Sequence, residues 1–227
     1  MQMDFKTYRE GSHMDKSLDA LTGLICGAER NTEMESLIAK GGEFALIVMD
    51  IDELLLINRD YGHEAGDDVF RLIARHIKEV FPHPCLSFRA TRDEFDILMP
   101  GSGKEEAFLK AEHLRKLICE EALGHTAADG APLKQSVSVG VSSYPDDGSR
   151  PADIFRRADS ALLRAKKNGR NMVCLAREEK LTPKTSHYTQ AQLENLSLIS
   201  DRISVGEAAL LREALDDLLK KYDVDER

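Results

Sequence analysis

Phe44-Ala-Leu-Ile-Val-Met-Asp-Ile-Asp52 is the stretch on which the fold turns. The continuous apolar run Phe44–Met49 reads as a buried strand. Asp50 stands at its C-terminal end, so the strand delivers a carboxylate to the loop beyond. Downstream, Val69, Leu72, Ile73, His76, Ile77 and Val80 recur at helical spacing. Leu86 to Ala90 and Phe95 to Met99 read as two short strands joined by a tight turn. Lys104 to Ala122 reads as an amphipathic helix. Gln135-Ser-Val-Ser-Val-Gly-Val141 alternates with period two, which predicts a strand with one buried face. Ile154 to Lys167 is a helix stopped by Asn168-Gly169, and Asn171 to Leu175 closes with a last strand. This alternation predicts an α/β chain, with a central sheet flanked by helices.

Outside that block, Gly11-Ser12-His13-Met14 has the form of a cleaved expression-tag remnant, and residues 1–14 are set aside on that ground. Residues 15–176 form the main domain. Residues 177–189 read as a linker or short strand, and 190–227 as a helical hairpin. Its helices are expected over Gln190–Asp201 and Ser204–Tyr222, with Ser204 and Glu207 as a capping box.

Composition narrows the class. The 227 residues are 42% hydrophobic and 31% charged, enough for a core. No run approaches the roughly eighteen apolar residues of a membrane span, so no membrane association is expected. The net charge is −9, so the chain as a whole does not attract nucleic acid. Cys26, Cys85, Cys119 and Cys174 lack Cys-x-x-Cys spacing and read as reduced thiols.

Three polar clusters carry chemistry. Asp50-Ile-Asp52 offers oxygen ligands to a hard divalent cation; the plain alternative is a strand-end carboxylate capping the next helix. Asp93-Glu94 lies in the turn between two strands and could converge on the same point, where carboxylate-held metal ions align an attacking hydroxyl with a leaving group. Lys166-Lys-Asn-Gly-Arg170 sits at a helix end, where its cations could meet phosphates or merely complement the macrodipole.

Together these segments resemble the GGDEF domain, the diguanylate cyclase domain of bacterial cyclic di-GMP signalling. Asp19-Ala-Leu-Thr-Gly-Leu24 resembles its opening motif. Asp50-Ile-Asp52, Asn58 and Gly62-His-Glu-Ala-Gly-Asp67 resemble its D-x-D…N-D-x-x-G-H-x-x-G-D stretch. Ser138-Val-Gly-Val141 and Ala158 to Asn171 match two later motifs. The resemblance implies a palm-like α+β fold with a mostly antiparallel sheet, and a cytoplasmic protein. It implies two GTP molecules, one per subunit of a homodimer, condensing to cyclic di-GMP with loss of pyrophosphate. By position, Asp50, the Ile51 carbonyl and Asp93 would hold magnesium. Asp93 and Glu94 would be the catalytic carboxylates, Glu94 beside the attacking hydroxyl or a second metal. Asn58 and Asp67 would read guanine, and Lys166 and Arg170 would neutralise the terminal phosphates.

The signature itself departs from the family. Thr91-Arg92 stands where two glycines are usual. Threonine is costly at positive φ, so strain of roughly 1–3 kcal/mol, or a reshaped turn, is expected. Leu55 replaces a phosphate-contacting lysine, and Arg92 could supply the lost charge as a GTP contact. Pro82-His-Pro-Cys85 replaces the R-x-x-D that binds product in many relatives, so no product inhibition is expected there. Misalignment harms turnover more than binding. The expectation is therefore a degenerate domain that binds GTP and magnesium with little or no turnover and acts as a regulatory module. A weak but genuine cyclase is the alternative.

Residues 184–222 faintly resemble ribbon-helix-helix DNA-binding proteins: Lys184 to Tyr188 as the strand, Leu211-Arg-Glu-Ala-Leu215 within the second helix. That would make the chain a DNA-binding regulator. Eleven acidic against seven basic residues from Glu178 onward, a net −4, argue against a basic patch. The plain alternative is a hairpin that dimerises or meets a protein through Leu211, Leu215 and Leu218.

Overall fold

The computed structural model describes residues 17–91, 93–126, 130, 132–176, 185–203 and 206–221. Arg92, Ser204 and most of the linker lie outside them, so the Arg92 contact and the Ser204 cap fall beyond the described residues. The chain divides into two compact units, residues 1–178 and 179–227.

In chain order, the first unit holds β1 (Ile25–Cys26), a 3-10 turn (Gly27–Glu29), α1 (Arg30–Ala39), β2 (Phe44–Ile51), α2 (Leu54–Tyr61), α3 (His63–Val80), β3 (Leu86–Arg89), β4 (Glu94–Pro100), α4 (Lys104–Glu120), β5 (Val137–Tyr144), α5 (Pro151–Lys167) and β6 (Val173–Leu175). The six strands form one sheet in the order β1-β3-β4-β2-β5-β6. β2 runs antiparallel to both neighbours, β4 and β5. Only the edge pairs β1–β3 and β5–β6 are parallel.

Period two assigns the two faces of β2. Ala45, Ile47, Met49 and Ile51 pack with Val69, Ile73, Leu114 and Ile118 of α3 and α4. Phe44, Leu46 and Val48 pack with Met34 of α1 and with Ile154, Ala158 and Leu162 of α5. All eight residues of β2 are buried, as the unbroken apolar run requires.

β5 differs from its sequence reading. It is buried on both faces over Val137–Ser143, although its pattern alternates. The alternation separates large from small rather than wet from dry. Ser138, Gly140 and Ser142 share the face beneath α5, where a Cβ on Gly140 would lie 2.0 Å from the Ala158 carbonyl oxygen. The Ser142 hydroxyl donates to the Ile154 carbonyl at 2.8 Å.

Two helices escaped the periodicity reading because of their size or composition: α1, and the eight-residue α2. Gly62, at φ 88°, ends α2 and opens α3, a backbone turn that glycine makes without strain.

The second unit contains α6 (Gln190–Ile203) and α7 (Glu207–Lys221). Thr189 and Gln192 form a capping box: the Thr189 hydroxyl accepts from the Gln192 N–H at 3.3 Å, and the Gln192 side chain accepts from the Thr189 N–H at 2.9 Å. Residues 185–189 carry no strand. Leu211, Leu215 and Leu218 are 36–52% exposed. No described helix is long and apolar enough to cross a membrane.

Candidate functional site

The site forms where β2 ends beside the start of β4. Asp50 is in register with Glu94 on one side and Ser138 on the other. The Ile51 N–H donates to the Asp93 carbonyl at 3.1 Å, which fixes the backbone of the β3–β4 turn against the end of β2. Asp50 is only 6% exposed. Lys166, at the end of α5, reaches it with Nζ–Oδ2 2.9 Å. Burial pushes the Asp50 carboxyl up to about 6; Lys166 opposes the rise, and the nearby charges of Asp93 and Glu94 add to it. Asp50, Asp93, Glu94 and Lys166 are thus one electrostatic cluster.

Threonine is accommodated in the signature turn without left-handed backbone. Among the described residues, positive φ outside glycine occurs only at Glu53, Arg170 and Asn171. The expected strain is therefore not stored at Thr91. Its hydroxyl instead donates to Glu94 Oε2 at 3.1 Å, and the Ala90 N–H closes the turn on the Glu94 carbonyl at 3.0 Å.

Asn58 and Asp67 come from α2 and α3. A Cβ on Gly66 would lie 2.1 Å from Asn58 Oδ1, so the missing side chain is what seats the carboxamide against α3. Asp67 is half exposed and faces Arg71 at 4.0 Å.

Sequence reasoning missed Arg89. Its guanidinium stacks 3.6 Å from the Phe70 ring centroid and 5.4 Å from that of Phe95. It lies 3.7 Å from Asp19. Burial pulls Arg89 below its ordinary value, while Asp19, Asp67 and Asp93 push it back up. It links the Asn58/Asp67 region to the Asp50/Asp93 cluster. The signal available was a lone cation at the end of the short strand Leu86-Ser-Phe-Arg89, two residues before Thr91. The Asp19 motif is what presents this partner: Asp19 Oδ1 accepts from the Thr22 N–H at 2.9 Å and the Thr22 hydroxyl at 2.6 Å, and Gly23 at φ 62° completes the turn.

Two readings of single segments change. Asp52 caps no helix; α2 begins without a side-chain cap. Its carboxylate accepts from Ser136, Ser138 and the Asn171 N–H at 2.7, 2.7 and 3.0 Å. Lys166 does more than complement a dipole, since it pairs with Asp50. Arg170 is not part of that cluster. It lines a cavity of about 640 Å³ with Asp52, Glu53 and Lys134, and the lining includes none of Asp50, Asp93, Glu94 and Lys166.

The donor set suits magnesium. Among the described residues no group of three or more His, Cys, Asp or Glu side chains could hold a metal unaided. Two carboxylates and one carbonyl leave positions for phosphate oxygens and water, as a reluctantly dehydrating hard cation prefers.

The family model described as "Diguanylate cyclase, GGDEF domain" matches residues 16–172, and a ribbon-helix-helix domain model matches residues 180–223. The diguanylate cyclase DgcP of Pseudomonas aeruginosa is 34% identical over 185 residues, covering 78% of this chain and 27% of DgcP. The chain spans less than half the length of the first curated relatives it matches. The crystal structure of the DgcB GGDEF domain from Caulobacter crescentus, in complex with cyclic di-GMP, superposes with a TM-score of 0.63 at 26% identity. That match covers 73% of this chain and 99% of the other. The active GGEEF domain of a Vibrio cholerae diguanylate cyclase gives 0.60 at 30% identity, over 67% and 95%.

Proposed function

Because the chain belongs to the diguanylate cyclase GGDEF-domain family of cyclic di-GMP signalling, we propose that its first unit binds GTP with magnesium, turns it over slowly or not at all, and regulates the second unit. The observation that carries this reading is the cluster at the strand ends: Asp50 on Lys166 at 2.9 Å, with Asp93 and Glu94 beside it. A buried carboxylate raised to about 6 by burial and neighbouring charge is stabilised by a cation.

Asp50, Asp93 and the Ile51 carbonyl would hold magnesium, which when bound neutralises phosphate charge and orients the reacting groups. Asn58 and Asp67 present an amide and a carboxylate to the guanine edge; a carboxylate suits the N1–H and N2–H donors. Lys166 is already at the metal end and can move from Asp50 to a phosphate oxygen. Arg170 lines the neighbouring cavity and would reach the terminal phosphates from there.

In the full reaction each ribose 3′-oxygen forms a bond to the α-phosphorus of the other nucleotide, the bond to pyrophosphate breaks, and the 3′ proton leaves to a base. Glu94, in register with Asp50, would be that base. Thr91 donates a hydrogen bond to this carboxylate, which fixes its orientation. That contact, and Leu55 in place of a cation at 84% exposure, support slow turnover. Condensation needs two copies, so a homodimer is part of the proposal.

The test is incubation at high protein concentration with labelled GTP and magnesium, resolving bound nucleotide from products. Retained, unconverted GTP supports the reading. Sustained cyclic di-GMP formation that disappears in Asp93→Ala makes the protein a genuine cyclase and overturns the regulatory reading, and no retention refutes both.

A DNA-directed role for the second unit is supported by the ribbon-helix-helix match over 180–223. Residues 185–189 carry no strand in the single chain, so the ribbon that enters the major groove would have to form on pairing of two copies. Duplex binding that weakens with salt and is lost on deletion after residue 178 is the expected signature.

A further inference from the structure

Glu53, Arg170 and Asn171 have φ of 57°, 61° and 47°. All three line the same cavity of about 640 Å³. Two successive side-chain-bearing residues in this region need an external hold. Asp52 supplies it. Its carboxylate, 6% exposed, accepts from Ser138 on Oδ1 and from both Ser136 and the Asn171 N–H on Oδ2. The Asp52 N–H in turn donates to the Ser136 carbonyl at 2.9 Å.

We propose that Asp52 is a positioning residue for Arg170, holding the turn after α5 in the left-handed conformation that aims this guanidinium at the terminal phosphates. The proposal rests on the GTP-binding reading above. The two carboxylates of Asp50-Ile-Asp52 then have separate duties. Asp50 holds the side chain of Lys166, and Asp52 holds the backbone beside Arg170. One strand end thereby sets both cations.

The rest of the turn is consistent with a clamp. The Arg170 N–H donates to the Ala165 carbonyl at 3.0 Å. Asn171 Oδ1 accepts from Arg115 of α4 at 2.9 Å. Arg170's own side chain is exposed. The bond from the Asn171 N–H is charge-assisted and ties this turn to the segment that follows β2.

The experiment compares GTP and GMP affinities, by calorimetry with magnesium, for the full chain, Asp52→Asn, Arg170→Ala and the double variant. Asparagine keeps the shape but can set an N–H against the Asn171 N–H. Asp52→Asn should weaken GTP about tenfold and leave GMP within about twofold, because GMP lacks the phosphates Arg170 serves. The double variant should bind GTP no more weakly than Arg170→Ala alone. Unchanged GTP affinity, equal loss of GTP and GMP, or additive losses would each overturn the proposal, the second marking a merely structural role. If Asp52→Asn does not fold, Ser136→Ala replaces it; removing one of the two donors that orient Oδ2 should cost about threefold for GTP alone. A parent chain that binds neither nucleotide refutes the GTP-binding reading and this inference with it. A parent that binds both, with Asp52→Asn indistinguishable from it, refutes only this inference.

Discussion

Gly66 and Thr91 show how much one side chain can decide. Asn58 lies where the Gly66 Cβ would be, 2.1 Å from its Oδ1. Gly66→Ala should displace the carboxamide at little cost to folding, because the clashing atom is the end of a side chain. GTP affinity is expected to fall about tenfold, measured by calorimetry, while the melting temperature stays within a few degrees. Thr91 acts oppositely, by adding a contact. Its hydroxyl engages Glu94 at 3.1 Å. Restoring glycine at both Thr91 and Arg92 should release that carboxylate and raise cyclic di-GMP formation at least tenfold, given the sensitivity of rate to misplacement of about 1 Å. An unchanged rate would move the cause of slow turnover elsewhere, with Leu55 the next residue to test.

At the scale of elements, packing across the α5 face gives two further expectations. Gly140 brings β5 within backbone contact of α5, where a Cβ would lie 2.0 Å from the Ala158 oxygen and 2.4 Å from the Leu162 nitrogen. Backbone atoms cannot step aside as a side chain can. Gly140→Ala should cost about 3 kcal/mol in urea unfolding. On the same face Arg30, the first residue of α1, is paired with the fully buried Asp96 of β4. Burial pushes Asp96 up from 3.8 to about 6, against the pull of Arg30. Its charge therefore costs stability above about pH 6, and the cost fades as pH falls towards 3.8. Arg30→Met leaves that charge buried and uncompensated. The expected loss is about 3 kcal/mol at pH 8 and clearly less at pH 5, where Asp96 takes up a proton. Equal losses at both pH values would sink this account.

For the whole molecule, the division into residues 1–178 and 179–227 would, on the proposed reading, separate nucleotide binding from association. The first unit has its own two-sided core. Deleting residues after 178 should leave cooperative unfolding and GTP affinity unchanged within about twofold. Dimerisation, read by sedimentation at matched concentration, should be lost, because the exposed stripe of Leu211, Leu215 and Leu218 goes with the deleted unit. A truncated chain that still dimerises would place the contact in the first unit.

The sequence by itself determined the strand order of roles. The Phe44–Met49 run could only be a doubly covered strand, and its terminal Asp50 had to emerge where the sheet ends. Regular motifs such as Asp19 to Leu24 and Ala158 to Asn171 also declared themselves, because each is local and its spacing is its geometry. What the tertiary structure decided was which groups meet across long separations. Asp50 and Asp52 look equivalent in sequence, yet one faces Lys166 and the other Ser136, Ser138 and Asn171. Arg89 looks like a strand residue until Phe70 is beneath it and Asp19 beside it. The period-two pattern of β5 could not distinguish a wet face from a face made of small side chains. Periodicity records where a side chain points, whereas its partner depends on the neighbouring element, and only packing fixes that.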